Sequence, residues 1–385
     1  MRTLPFDHAV RNLGRSPFRL AAGTAGSALV VLLVLSAAAF VRGMGASIEG
    51  SGGRGNVLLI GNGSEDSIER SEVPPVTAGV AAASIPGIRR RLGVPFVSPE
   101  IHAPLSVDLG DGGGERFANF RGIVPEAFLV HSRARLTGGR LPGPGEVIVG
   151  RLAAARMGVP PERLAAGAAL RIEGRSWTVA GAFEAPGTVM ESEIWMPLSD
   201  LYVATRRERP SCIVVTMDGD DLSEADLFAR QRLDLEITAV PEEEYYHRIH
   251  AFYGPVRAMV WVTAILVAAG AFLGGLNTLY AAFASRVREM ATLQVLGFPR
   301  RAVALNLLQE SALLSAAGSL LAAGIAVLFL DGLSVRISMG AFGLRVDGVA
   351  LATGLLTGVG LGLLGALIPA ARCLRIPIPE ALRSV

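Results

Sequence analysis

The chain has 385 residues, 51% hydrophobic but only 6% aromatic, and 18% charged with a net charge of +2. A mean hydropathy of +0.44 excludes an all-soluble protein of ordinary composition, and so small a net charge gives no field to hold nucleic acid. Lysine is absent, so no Walker A loop can form and an ordinary P-loop ATPase is excluded.

In chain order, an arginine-bearing amino-terminal segment (1–19), amphipathic in character, leads into the first of four runs long enough to span a bilayer, which takes about 20 apolar residues. The runs are 20–41, 258–284, 302–330 (its apolar part from Ser311) and 348–371. Ala37-Ala38-Ala39 resembles a signal-peptide cleavage site, but the apolar run is longer than such a region needs, and a retained anchor is expected. Arginines flank the spans unevenly. Arg2, Arg11, Arg15 and Arg19 precede the first, Arg286, Arg288, Arg300 and Arg301 lie between the second and third, and Arg372, Arg375 and Arg383 follow the fourth. The outer loop 331–347 is balanced, with Arg336 and Arg345 against Asp331 and Asp347. Basic flanks mark the cytoplasmic side, so both termini and the tail 372–385 are placed inside and the stretch 42–257 outside.

That stretch reads as folded. Asn56–Ile60 predicts a strand, Val76–Arg91 a helix and Val94–Ser106 an extended run. Cys212–Met217, Leu222–Arg232 and Leu233–Val240 predict strand, helix and strand. Two β-α-β ends suggest one α/β module with an insert at about 115–202, where EVIVG, ALRIEG, SWTVAGAF and EIWMPL read as short strands. Asp111–Gly114 reads as a flexible loop tip. A stalk helix over about 241–257 follows Pro241, its glutamates suited to the helix dipole. There Glu243, His247 and His250 read as a solvated face in preference to a metal corner. Cys212 and Cys373 have no metal-ligand spacing and suggest no disulfide framework. No metal or other cofactor is expected.

Gly360 to Gly365 matches GxGxxG, but inside a span it lacks the strand and helix opening of a dinucleotide loop. Gly354, Gly358 and Gly362, and Gly270 with Gly274, form stripes that let helices approach closely in lipid. Glu310, near the start of the third span, is expected at the cytoplasmic interface; a role in a polar pathway is the lesser reading.

The segment 285–301, SRVREMATLQVLGFPRR, separates two spans. On a helix Val287, Met290, Ala291, Leu293 and Val295 share a broad apolar face, with Arg288, Glu289 and Thr292 opposite. Gly297 supplies a stop, Phe298 is pushed towards extended backbone and Pro299 can open the next helix. The apolar face either lies in lipid headgroups or docks in a partner's groove.

REMATLQVLGFPRRAVALNLLQESALL resembles the cytoplasmic segment of FtsX-like/MacB-like ABC transporter permeases. The tail IPAARCLRIPIPEALRS, with Pro369, Ala370, Arg372, Pro379, Glu380, Ala381, Leu382 and Arg383, resembles that family's carboxyl end. AVRNLGRSPFRLAAGTAGSALVV is similar to its amino-terminal helix, and LTGGRLPGPGEVIVGRLAAARMGV to the MacB-type periplasmic core. Phe298-Pro299 departs from the family's small residue and Ser/Thr, and the fused ATPase of MacB has no counterpart in this sequence.

The resemblance implies a polytopic α-helical membrane protein with four transmembrane helices and a large extracytoplasmic α/β domain, a porter-like β-α-β module carrying a β-rich insert. It implies a non-catalytic permease subunit in the bacterial inner membrane. Its partners would be a separate ABC ATPase, a second permease chain (the same or a paralogue), membrane lipid and, in some systems, a periplasmic adaptor. Coupling to the ATPase would run through Arg286, Val287, Arg288, Glu289, Met290, Leu293, Gly297, Arg300 and Arg301. Export or lipoprotein release by mechanotransmission is the implied work. An FtsX-like scaffold controlling a cell-wall hydrolase is the alternative, and the outer region looks large for it.

Overall fold

A computed structural model of the chain describes residues 6–14, 17–110, 112–219, 221–337 and 340–383. Arg2, Arg15 and Asp111, named above, lie outside the described residues. The chain divides into two compact units, one of residues 1–42, 255–333 and 344–385, the other of 43–254 and 334–343.

The chain opens with α1 (Phe6–Gly14) and the long α2 (Pro17–Glu49). The α/β unit then runs β1 (Asn56–Gly61), α3 (Thr77–Ser84), β2 (Arg90–Arg91), β3 (Val94–Pro95), β4 (Val97–Asp108) and β5 (Arg116–Ile123). It continues with α4 (Ala127–Val130), β6 (Arg135–Gly139), β7 (Glu146–Gly150), α5 (Ala153–Met157), β8 (Ala169–Ile172), β9 (Arg175–Glu184) and β10 (Glu193–Pro197). Next come α6 (Leu198–Thr205), β11 (Cys212–Thr216), α7 (Ser223–Gln231), β12 (Ile237–Pro241) and α8 (Glu242–Phe252). The remaining elements are α9 (Gly254–Ala284), α10 (Val287–Val295), α11 (Arg300–Ile325), the hairpin β13 (Ser334–Ile337) and β14 (Gly340–Gly343), α12 (Gly348–Cys373) and α13 (Ile378–Arg383).

Four helices are long and apolar enough to cross a membrane: Leu20–Glu49 of α2, α9, Arg300–Leu330 (α11 extended by a π-helical turn, Ala326–Leu330) and α12. Within the helical unit, Asp347 caps α12 by accepting from the Ala350 N–H at 3.0 Å and also accepts from Arg42 Nε at 2.6 Å. The cap satisfies one of the backbone donors that a helix start leaves orphaned.

In the α/β unit, four strands lie in the order β12-β1-β11-β4, each antiparallel to its neighbour. The parallel partners β1/β4 and β11/β12 are therefore never adjacent, and each β-α-β end is split by a strand of the other. Both helices sit on the face carrying Val57, Leu59, Ile213 and Val215, which packs on Ala81, Ala225 and Phe228. The helix read over 76–91 is shorter, because Pro86-Gly87 follows its last turn and the chain turns into the small β2–β3 hairpin. The strand read from Leu233 begins only at Ile237, after a 3-10 turn over Leu233–Leu235.

β4 serves two neighbourhoods. Val97–Glu100 pair with β11, while Ile101–Val107 pair with β5, so the sheet runs on through β5-β10-β7-β9-β6. The β-rich part thus begins inside β4 and not near residue 115. Its core holds Ile101, Phe120, Val147, Leu170, Trp177 and Met196.

Candidate functional site

The turn between α9 and α11 holds the residues singled out for coupling. α10 ends in a Schellman motif: Gly297 has φ +92°, its N–H donates to the Gln294 carbonyl, and the Phe298 N–H donates to the Leu293 carbonyl at 3.1 Å. Leu293 and Phe298 pack on the same apolar cluster, the contact that usually accompanies this cap. Pro299 stands one place before the helix, as the N-cap, and Arg300 is the first residue of α11.

The apolar face of α10 is already occupied. Val287, Met290 (3% exposed) and Ala291 are buried with Phe283, Val303, Leu307, Ala370, Cys373, Leu374 and Ala381. Part of that cover comes from α13, far along the chain. The expectation that this face is free to enter a partner's groove or lie in lipid is therefore corrected. What α10 leaves in the open is Arg288, Glu289, Thr292, Val295 (63% exposed) and Leu296 (62%), followed by Gly297, Arg300 and Arg301.

Arg286 also points inward. Its Nη1 donates to both oxygens of Glu310 at 3.2 and 3.0 Å, and its Nε to Glu289 at 3.1 Å. Asn12 of α1 donates to Glu310 Oε2 at 2.9 Å. One buried carboxylate thus ties α1, α10 and α11 together.

The glycines behave in two ways. A Cβ at Gly354, Gly358 or Gly362 would come within 2.5 Å of Leu35, Ser319 and Ser315 respectively, so α12 lies hard against α2 and α11. At Gly270 and Gly274 of α9 a Cβ would meet nothing within 4 Å among the described residues. Of the histidines considered for a metal corner, His250 Nδ1 instead meets Glu49 Oε1 at 2.8 Å. Both cysteines are buried and free.

A second cluster, which the sequence reading missed, fills the face of β1, β11 and β4 opposite to α3 and α7. Arg121 donates to both oxygens of Glu193 at 2.7 and 2.8 Å and to Glu100 at 2.8 Å. Its guanidinium lies 5.6 Å from the centroid of the Trp195 ring, whose Nε1 donates to Glu193. His131 Nε2 is 2.8 Å from Glu100 Oε1, and His131 Nδ1 is 3.9 Å from Glu242 Oε1. Glu242 accepts from the Gly53 N–H and from Asn56, each at 2.8 Å. Arg121, His131, Glu100, Glu193 and Glu242 are all buried.

Burial alone pushes the Glu100 and Glu193 carboxyls up, but the neighbouring cations outweigh it and hold Glu100 well below, and Glu193 below, the usual carboxylate range. Burial raises Glu242. Burial would lower His131, yet Glu100 raises it overall, by charge and hydrogen bond. Glu100, His102 and Cys212 form a group with metal-ligand atoms in mutual reach. Glu100 is committed to Arg121, however, and burial pushes the Cys212 thiol well up. That chemistry does not favour a cation.

Residues 23–226 match the MacB-like periplasmic core domain, and residues 261–378 match the FtsX-like permease C-terminal segment. No curated protein matches the chain. Among solved structures, the periplasmic region of MacB from Actinobacillus actinomycetemcomitans is 18% identical, covering 52% of this chain and 95% of its own, with a TM-score of 0.38. The extracellular domain of the noncanonic ABC-type transporter YknZ from Gram-positive bacteria is 13% identical over 48% of this chain and 98% of its own, TM-score 0.35. A domain of a putative permease protein from Porphyromonas gingivalis is 14% identical over 48% and 88%, TM-score 0.33.

Proposed function

The chain belongs to the MacB/FtsX-like family of ABC transporter permeases, and from that premise we propose that it is the transmembrane subunit of a system whose ATPase is a separate chain. ATP hydrolysis there would move the extracytoplasmic domain, a porter-like module with its β-rich insert, for export or lipoprotein release. The arginine placement supports a bacterial inner-membrane topology with both termini cytoplasmic. A second permease chain completes the assembly, and the open side of α9 at Gly270 and Gly274 supports a place for it.

The observation that carries this reading is the exposed rim of the α10–α11 turn. Val295 and Leu296 stand out of the fold between Arg288 on one side and Arg300 and Arg301 on the other. An exposed apolar pair flanked along the chain by arginines suits a partner cleft with an acidic edge. Met290, Val287 and Leu293 support the pair from inside, and Arg286 anchors it through Glu310.

Capture of the cognate ATPase by the detergent-solubilised chain tests this. Burying a leucine is worth roughly 1.5–3 kcal/mol, so Leu296→Asp should weaken capture by at least about tenfold, at 1.4 kcal/mol per decade, and leave the thermal midpoint unchanged. Met290→Asp, in the core, should lower the midpoint itself. If Leu296→Asp captures the ATPase as the wild type does, the proposed docking rim is wrong.

A further inference from the structure

A cleft of about 460 Å³ opens in the α/β unit between β4, the β8–β9 turn and the end of α6. His102 and the backbone of β4 form one wall, Glu173 and Arg175 a second, and Arg206 and Arg207 a third. Three arginines and one acid thus line the cleft. Arg207 is held in place by donation from Nη1 to Ser211 Oγ at 2.7 Å and from Nη2 to the Glu69 carbonyl. Among the described residues no hydrogen bond or ion pair engages the guanidinium of Arg175 or of Arg206.

The backbone strengthens the case. Glu173 (φ +47°) and Arg206 (φ +54°) are two of only four non-glycine residues in the left-handed region among the described residues. Each place calls for glycine or asparagine: Glu173 opens the two-residue turn between β8 and β9, and Arg206 closes α6. A long charged side chain at both places carries backbone strain that glycine would relieve, and both side chains border the same cleft. His102, on the β4 wall, lies 3.3 Å from the buried Glu100. Burial and Arg121 lower its pKa, so the imidazole is a neutral polar wall at neutral pH.

We propose that this cleft binds the oxyanion group, phosphate or carboxylate, of a small ligand, held by Arg175, Arg206 and Arg207. Planar guanidiniums offer paired donors that match such groups. The inference is independent of the coupling reading, because it concerns binding to one chain with no ATPase present.

The test uses the full chain solubilised in an uncharged detergent and titrated calorimetrically with inorganic phosphate, with chloride at matched ionic strength as the control. Phosphate should bind where chloride does not. Arg175→Gln combined with Arg206→Asn, the asparagine chosen because it tolerates left-handed backbone, should weaken binding at least about tenfold, the loss of one charge-assisted contact. Glu173→Gln, which removes the one carboxylate among the described residues lining the cleft, should strengthen it. A short-chain phosphatidic acid in parallel separates the sources: arginine-dependent binding of both probes supports a soluble oxyanion, and arginine-dependent binding of the lipid alone assigns the site to a lipid phosphate. Equal binding of phosphate by wild type and the double variant, or binding of neither probe, overturns the proposal.

Discussion

Buried charge is handled differently in the two units. Among its described residues the helical unit buries one carboxylate, Glu310, held by Arg286 and Asn12, and the Arg286 side chain keeps 12% of its surface accessible. The α/β unit closes a whole network around Arg121, whose side chain is 2% exposed, with Glu100 at 0%. In the first, the partly exposed Arg286 can be solvated if its partner is lost; in the second, neither Arg121 nor Glu100 has surface to offer. The difference teaches that the same kind of ion pair can be a clip in one place and a keystone in another, depending on what a missing partner leaves behind.

The largest effect should come from Arg121→Leu. It strands Glu100 and Glu193 in the core, and breaking a buried pair costs about 3–5 kcal/mol. Unfolding of the full chain, followed by tryptophan fluorescence from Trp195 beside the network, should show a loss of that size. A loss below about 1 kcal/mol would mean that water reaches the cluster and that the contrast between the units is false.

Glu310→Gln should cost less, about 1–3 kcal/mol, because the amide still accepts from Asn12 and Arg286 can turn towards solvent. Proteolysis of the α1 region should rise while the α/β unit stays intact. A cost matching that of Arg121→Leu would place Glu310 in the keystone class as well.

The smallest effect is a slope with pH. His131 has its pKa raised in the fold, so its contribution is complete below its ordinary 6.5 and fades as pH rises through the raised value. Glu242, raised by burial, acts in the same direction from 4.5 upward. His102 is lowered and works oppositely, its contribution lost only as pH falls through a value below 6.5. Above 6.5 the difference between wild type and His131→Gln reports His131 together with the Glu242 it faces: the stability gap should narrow steadily with rising pH. A gap that stays constant from pH 6.5 to about 8 would remove the charged imidazolium from the network.

The four long helices were legible because a bilayer leaves a signal in every residue it touches, and the Gly297-Phe298-Pro299 bend because each residue restricts its own backbone. The strands of EVIVG and CIVVT were legible in the same local way. The occupied face of Met290 was not. Amphipathicity reports that a face is covered without saying by what, and the cover includes α13, nearly ninety residues further on. The buried network was hidden for a similar reason: Glu100, Arg121, His131, Glu193 and Glu242 are scattered over more than a hundred residues and meet only when the sheet closes. A faint local trace existed in Glu100, a lone acid between Val97 and Ile101 in an otherwise buried stretch of strand.

The column of Gly354, Gly358 and Gly362 carries a mechanical meaning. With Ser319 and Ser315 filling the space where side chains would stand, α12 and α11 mesh like a key in its ward, and Leu35 of α2 closes the lock at Gly354. A key so cut can turn only with its lock. The three helices interlock at these glycines, whereas on α9 the described residues leave open space around Gly270 and Gly274.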